Sequence, residues 1–248
     1  MLKSHPFACL TALCAALFIT LSVNMPATAA GQYQYPQRPV RLVIPYPPGG
    51  AGDIVGRLLG NSLGAAMGQQ FVSDNRGGGG QIIATQISAN AAPDGYTLFL
   101  ASATHSINPA LRNNLPYDTL KAFAPITLVA ESPLVFVVHP SLKAANIREL
   151  IALAKTQPGR LNYASSGPGT GGHMSVELLK SLTGIDLVHI PYKGAGPALV
   201  DVVAGQVQII CTSPLPAMPH VKAGRLRALG MTSLQRSPAH PDVPPVAD

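Results

Sequence analysis

The sequence predicts an α/β fold built mainly on parallel strands, and three observations carry that expectation. Short apolar runs rich in β-branched residues recur along the chain, separated by segments of helical length. One of these runs, 40–44, and the short strand-like stretch 161–165 each break into a glycine-rich turn directly before a helical pattern, once at residues 45–53 and again at 165–173. The composition, 47% hydrophobic and 11% charged, supplies enough apolar side chain for a sizeable core.

The chain opens with an address. Lys3 stands in an acid-free start, residues 7–23 form an apolar run, and Ala27-Thr28-Ala29 supplies a cleavage site, so residues 1–29 read as a secretory signal peptide rather than a membrane anchor. Cys9 and Cys14 depart with it. Cys211, behind the apolar stretch 207–210, is then the one remaining thiol and is expected to be buried. The 17 basic and 11 acidic residues give +6, or +5 once Lys3 has left. These charges are spread thinly, with no tryptophan and no aromatics among the basic residues, which argues against nucleic acid and leaves a weak field favouring an acidic small molecule.

Taken in order, the first strand is expected at 40–44, followed by a helix whose apolar spacing is Ile54, Leu58, Leu59 and Leu63. The run Gly77–Gly80 reads as a mobile connection before a helix at 81–87, and Arg76 as solvated or paired with Asp74. Pro93-Asp94-Gly95 turns the chain into a strand at 96–100. Further strands are expected at 134–138, 161–165, 187–190, 207–210 and 226–229. Asn146 caps a helix at 147–155 that stops at Pro158-Gly159. Gly196-Pro197 opens another at 198–204 that stops at Gly205.

The two glycine turns are where chemistry is expected. Glycine lets backbone approach a ligand closely, and the free N–H groups and positive dipole end of the following helix favour an anion. Gly167-Pro-Gly-Thr-Gly-Gly172 also matches the dinucleotide fingerprint, with Asp186 downstream, although Pro168 stiffens the turn; a secreted dinucleotide-dependent oxidoreductase is therefore the alternative reading. Neither turn carries a P-loop lysine. The histidines lack metal-ligand spacing, and Ser165 and Ser166 lack a nucleophile elbow. His173, in the first turn of the second cradle helix, reads equally as a site residue or as a packing histidine.

Several stretches in one order resemble a known family. These are the segment from Arg38-Pro-Val-Arg through Gly49-Gly-Ala-Gly-Asp53, Asn75-Arg76, Ala92-Pro-Asp-Gly-Tyr-Thr-Leu98, Leu161-Asn-Tyr-Ala-Ser165 with Gly169-Thr170 and His173, His189-Ile-Pro-Tyr-Lys-Gly194, and Asp242-Val-Pro-Pro-Val246. From about Tyr35 onward the chain is similar to the Bug-type substrate-binding proteins of tripartite tricarboxylate transporters.

The resemblance implies a two-lobe, type II periplasmic-binding-protein fold, no enzymatic activity and no cofactor. It further implies a periplasmic monomer that closes on a small carboxylate, a di- or tricarboxylate or a related organic or amino acid, and delivers it to a membrane permease. It divides the chain into a first lobe at 30–137, a second at 138–230 and a return crossover at 231–248. Family members normally continue further, so the first lobe is expected to be incomplete, with apolar surface exposed on it. By position, Pro48, Gly49, Gly50 and Asp53 form the first lip, with Asp53 capping its helix or meeting a ligand ammonium. Ser165, Ser166, Gly169, Thr170 and His173 form the opposing lip. Ser102, Thr104 and His105 line the wall, and Tyr192 lies in a flanking loop that binds or braces, beside Lys193.

Overall fold

The computed structural model describes residues 35–247. The expected signal peptide at 1–29 lies outside the described residues. In the first lobe, Val40–Ile44 (β1) is flanked by Phe71–Asn75 (β2) and Thr97–Phe99 (β3), all parallel, in the order β2-β1-β3. Ala51–Met67 (α1), Ile82–Ala89 (α2) and Ala103–Leu111 (α3) connect and cover them.

The face that α1 buries is not the leucine face. Asp53, Gly56 and Gly60 are buried, whereas Leu58 is 61% exposed. The reason is close approach: a Cβ on Gly56 would stand 2.5 Å from Ile44 Cδ1, and one on Gly60 3.1 Å from the Phe71 carbonyl oxygen. The helix lies directly on the strands, and its larger side chains spread to the flanks. The following stretch, residues 112–134, carries no helix or strand, and Leu120, Ile126 and Leu128 on it are 87%, 78% and 72% exposed.

The second lobe holds Val135–Val138 (β4), Asn162–Ser165 (β5), Val188–Pro191 (β6), Ile209–Thr212 (β7) and Arg227–Met231 (β8), ordered β6-β5-β7-β4-β8. Its helices are Ile147–Thr156 (α4), Gly171–Thr183 (α5), Ala195–Val203 (α6) and Pro214–Lys222 (α7). One strand departs from the expected parallel arrangement: β4 runs antiparallel to both β7 and β8. It enters from the irregular segment with no crossover helix before it, so the rule that keeps helix-linked strands parallel does not apply to it.

Alternation along these strands builds two core layers. Phe136, Val138, Tyr163, Ile209 and Cys211 face Leu150, Val176 and Leu179 of α4 and α5. Val135, Val137, Ala164 and Ile210 face Ala198, Leu199, Ala217 and Met218 of α6 and α7. Cys211 is buried as expected, and burial pushes its thiol up to about 12. Asn146 caps α4 by accepting from the Glu149 N–H at 2.9 Å, while Glu149 accepts in return from the Ala145 N–H at 2.8 Å. Beyond β8 the chain stays on this lobe: Met231 bridges to Pro245, Val243 is buried, and Val246 packs on the α4 side.

Candidate functional site

The second-lobe wall is the turn between β5 and α5. Ser165 is fully buried, its Oγ 2.6 Å from His189 Nε2 and accepting from the Gly167 N–H at 3.1 Å. Thr170 stands at the N-cap of α5 yet does not cap it, because its hydroxyl donates backwards to the Gly167 carbonyl at 2.7 Å. Backbone pairing in α5 begins with Met174 N–H to the Thr170 carbonyl. The N–H groups of the preceding helical residues are therefore left without intrahelical acceptors, at the positive end of the dipole.

The first-lobe wall is built by Pro45, Tyr46 and the loop that ends at Gln81. Gly78, Gly79 and Gly80 have φ of +104°, +60° and +63°, and Gln81 follows at +71°, a left-handed position that a side-chain-bearing residue rarely occupies. The Gln81 amide is oriented by its neighbours. Ser102 Oγ accepts from Tyr46 OH at 3.1 Å and from the Thr104 N–H at 3.3 Å, so its own proton goes to Gln81 Oε1, 2.9 Å away. That leaves Gln81 Nε2 turned away from Ser102. The residue is 3% exposed, and among the described residues the Nε2 has no hydrogen-bond partner. Asn108 Nδ2 holds the loop from behind by donating to the Gly80 carbonyl at 3.0 Å.

The two walls enclose a cavity of about 230 Å³. Tyr46, Gly78 to Gln81 and Arg112 line it from the first lobe, and Ser166 to Pro168, Thr170, Tyr192 and Lys193 from the second. The lobes touch at its edges. A Cβ on Gly194 would stand 2.5 Å from Pro47 Cγ and Cδ, and one on Gly196 3.1 Å from the Pro48 carbonyl oxygen. A Cβ on Gly169 would stand 2.9 Å from Leu111 Cδ1.

Of the residues expected from sequence, Ser166, Thr170 and Tyr192 line this cavity. Tyr192 is also braced, its hydroxyl donating to Asp201 at 2.6 Å. Pro48, Gly49 and Gly50 are not among the lining residues; Gly50 instead faces Ala195 across the lobe contact. Asp53 is buried and accepts from the Gly49 N–H at 3.0 Å, Arg57 at 2.9 Å and Asn75 at 3.0 Å. Burial alone would raise its carboxyl, but the bonds from Arg57, Gly49 and Asn75 outweigh it and hold it below the usual range. Ser102 and Thr104 orient the wall rather than face the cavity. His105 is pinned behind it, its Nε2 bonded to the Thr119 carbonyl at 3.1 Å and its ring packed against Phe99 and Phe123.

His173 also sits behind the wall. Its Nδ1 accepts from the Gly169 N–H at 3.3 Å, and its ring lies 4.3 Å from that of His189, which stacks in turn on Tyr163. Desolvation, then the neighbouring His173, lowers His189 to about 4; desolvation lowers His173 as well, against the pull of Glu177. In the window between about 6.5 and about 4 the unfolded chain therefore binds more protons than the folded one. Stability should fall as pH drops through that window and level off below it. Once partial exposure is discounted, His189 contributes roughly 1–2 kcal/mol of this fall. Urea unfolding from pH 7 to pH 4 checks it: His189→Phe should flatten the slope, and an unchanged slope would remove His189 as its source.

Sequence reasoning overlooked Tyr46, Gln81 and Arg112. Gln81 left one signal, a lone polar residue between a glycine run and the apolar start of α2, and the glycine run itself, expected to be a mobile link, turns out to be wall. Arg112 left none. The dinucleotide alternative loses its footing here. Gly169 is the glycine through which its fingerprint would bring backbone to a pyrophosphate, and it is taken up by lobe contact, a Cβ there standing 2.9 Å from Leu111 Cδ1. The cavity is also smaller than the roughly 300–1,000 Å³ of pockets for drug-sized ligands, let alone a dinucleotide.

Comparison with known proteins agrees with this geometry. The family model described as "Tripartite tricarboxylate transporter family receptor" matches residues 55–248. Protein BugT of Bordetella pertussis is 36% identical over 241 residues, covering 96% of this chain and 74% of that protein. The structure of the periplasmic binding protein BugD superposes with a TM-score of 0.82 at 35% identity, over 85% of this chain and 71% of that one. The structure of R. palustris Rpa4515 with adipate gives a TM-score of 0.84 at 34% identity, over 86% and 72%. With its two lobes, its walled cavity and a match over most of its length, the chain belongs to the receptor family of the tripartite tricarboxylate transporters, a family of solute-binding transport components rather than enzymes.

Proposed function

We propose that this protein is a periplasmic receptor that captures a small carboxylate between its two lobes and delivers it, as a monomer, to the membrane permease of a tripartite transporter. The observation that carries the reading is Gln81 Nε2, a buried donor with no partner in a cavity that no Asp or Glu lines. A buried unpaired donor costs about 1–3 kcal/mol, a cost that an arriving carboxylate oxygen removes. The free N–H groups at the start of α5 supply further donors from the opposite lobe. A relative of known structure holds adipate, and BugD is a periplasmic binding protein.

In this reading the first lobe is the body around β1 to β3, and the second the body around β4 to β8. Ser166, Thr170 and Tyr192 contact the ligand together with Gln81 and Tyr46. Gly169 and the Pro48-Gly49-Gly50 lip close the lobes over it. Asp53, Ser102, Thr104, His105, Ser165 and His173 hold the two walls in shape. Residues 1–29 direct export.

Calorimetric titration of the full chain with the linear dicarboxylates from malonate to pimelate, and with NAD, tests the reading. At least one carboxylate should bind and raise the unfolding free energy by about 2.7 kcal/mol at a hundredfold excess over its Kd. Gln81→Glu, which replaces the two N–H donors with a repelling carboxylate, should weaken that binding at least about tenfold. Binding of NAD with no response to any carboxylate would overturn it.

A further inference from the structure

Only two of the residues lining the cavity are charged, and both are cations: Arg112 and Lys193. They come from opposite lobes. Arg112 follows the last turn of α3 in the first lobe, and Lys193 lies between β6 and α6 in the second. Arg38, Arg41, Arg57, Arg76 and Lys180 each sit within 2.9 Å of an acid. Among the described residues Arg112 and Lys193 have no such partner, and the nearby Asp201 is occupied by Tyr192 OH. The place of the guanidinium is defined by the glycine loop: a Cβ on Gly80 would stand 3.1 Å from Arg112 Nη2 and 3.6 Å from the Pro168 carbonyl oxygen. Arg112 thus lies on the seam where the two walls meet, one residue from the Leu111 that faces Gly169.

Bringing two unpaired cations to one small cavity is unfavourable when the lobes approach, because each meets a like charge. An anionic group placed between them reverses the sign. A guanidinium offers a carboxylate two parallel donors, and the ammonium adds a third from the other lobe. The first carboxylate already has its donors at Gln81 and the start of α5. We infer that Arg112 and Lys193 are a specificity-determining pair that reads a second carboxylate at the other end of the ligand, so that the closed state is selected by dianions and disfavoured for monoanions. This rests on the carboxylate reading above and narrows it. Ligands with a single carboxylate leave the pair unneutralised, and so do neutral-chain amino acids, whose ammonium cancels their one carboxylate.

The test compares each linear dicarboxylate from malonate to pimelate with its own monomethyl ester, which keeps the length and removes one charge, by calorimetry on the full chain at low ionic strength. The wild-type protein should bind at least one diacid about tenfold or more tightly than its ester. Arg112→Gln should erase most of that preference by weakening the diacid, and Lys193→Gln should do so in part. Raising the salt concentration should narrow the gap as well. Arg112 is exposed, so its replacement is expected to leave the unfolding temperature in place; if it does not, the wild-type diacid-to-ester ratio and the Lys193 variant still decide. Equal affinity for diacid and ester, or an Arg112→Gln loss shared equally by both, overturns the inference while leaving the carboxylate receptor standing. Binding of neither diacid nor ester removes both together.

Discussion

Gly172→Ala is expected to destabilise the protein by about 3 kcal/mol or more, lowering Tm by roughly 6–12 °C. The second residue of α5 lies against β7, and the added methyl would stand 2.0 Å from the Cys211 carbonyl oxygen and 3.1 Å from its carbonyl carbon. Neither side can give way cheaply. Cys211 is paired with Phe136 in the interior of the five-stranded sheet, and α5 is held by Val176 and Leu179 in the core beneath it. Moving the helix by the ångström or more that is needed would open that core and displace the turn before α5, whose Thr170 lines the cavity. Gly184→Ala is the comparison. It ends the same helix at φ +70° with no atom within 4 Å of the new methyl, so it meets backbone strain alone, worth about 1 kcal/mol. Equal losses for the two variants, measured by thermal or urea unfolding, would refute the packing argument.

How much of this could be read beforehand depended on whether a residue's meaning is local. The strand β1 and its turn were legible because a β-branched run ending in glycine announces both a strand and its stop, whereas β5, which has no β-branched residue, was legible from the break into hydroxyls and glycines that follows it. Asn146, as a helix cap, announced α4, which the expected stop at Pro158-Gly159 bounded. β2 was missed because Phe71-Val-Ser-Asp-Asn75 is an edge strand with a largely polar, half-exposed surface, so the apolar signal is absent. α3 and α7 were missed because of their prolines. Pro109 sits inside α3, while Pro214 and Pro216 occupy the first turn of α7, where no intrahelical N–H is needed, and Pro219 follows within it. α6 starts at Ala195, three residues before the expected 198, because Pro197 occupies its first turn rather than opening it.

The site divides along the same line. Ser166, Thr170 and Tyr192 sat in segments that already looked unusual. Gln81 matters only because Ser102, itself engaged by Tyr46 and Thr104, turns its amide, and Arg112 matters only because no acid among the described residues reaches it. Both are facts about neighbours distant in sequence, which no local pattern records. The antiparallel insertion of β4 between β7 and β8 is of the same kind.

Gly194→Val should cost about 100-fold in ligand affinity while leaving the stability of the ligand-free protein nearly unchanged. Gly194 has φ of 166°, extended backbone that any residue adopts, so the substitution carries no strain of its own. What it meets is the other lobe: its Cβ would stand 2.5 Å from Pro47 Cγ and Cδ, ring atoms on a rigid turn. That contact exists only when the lobes are together. An overpacking penalty of about 3 kcal/mol therefore falls on the closed state alone, and since affinity scales with the fraction of binding-competent protein, it translates into about two orders of magnitude in apparent Kd. Gly194→Ala should show a smaller loss, with the longer side chain always the worse. Calorimetry with whichever carboxylate binds best, beside unfolding without ligand, separates the two effects. Wild-type affinity in Gly194→Val would mean that the ligand is held without the lobes meeting at Pro47. A matching loss of ligand-free stability would mean that this contact belongs to the resting fold rather than to closure.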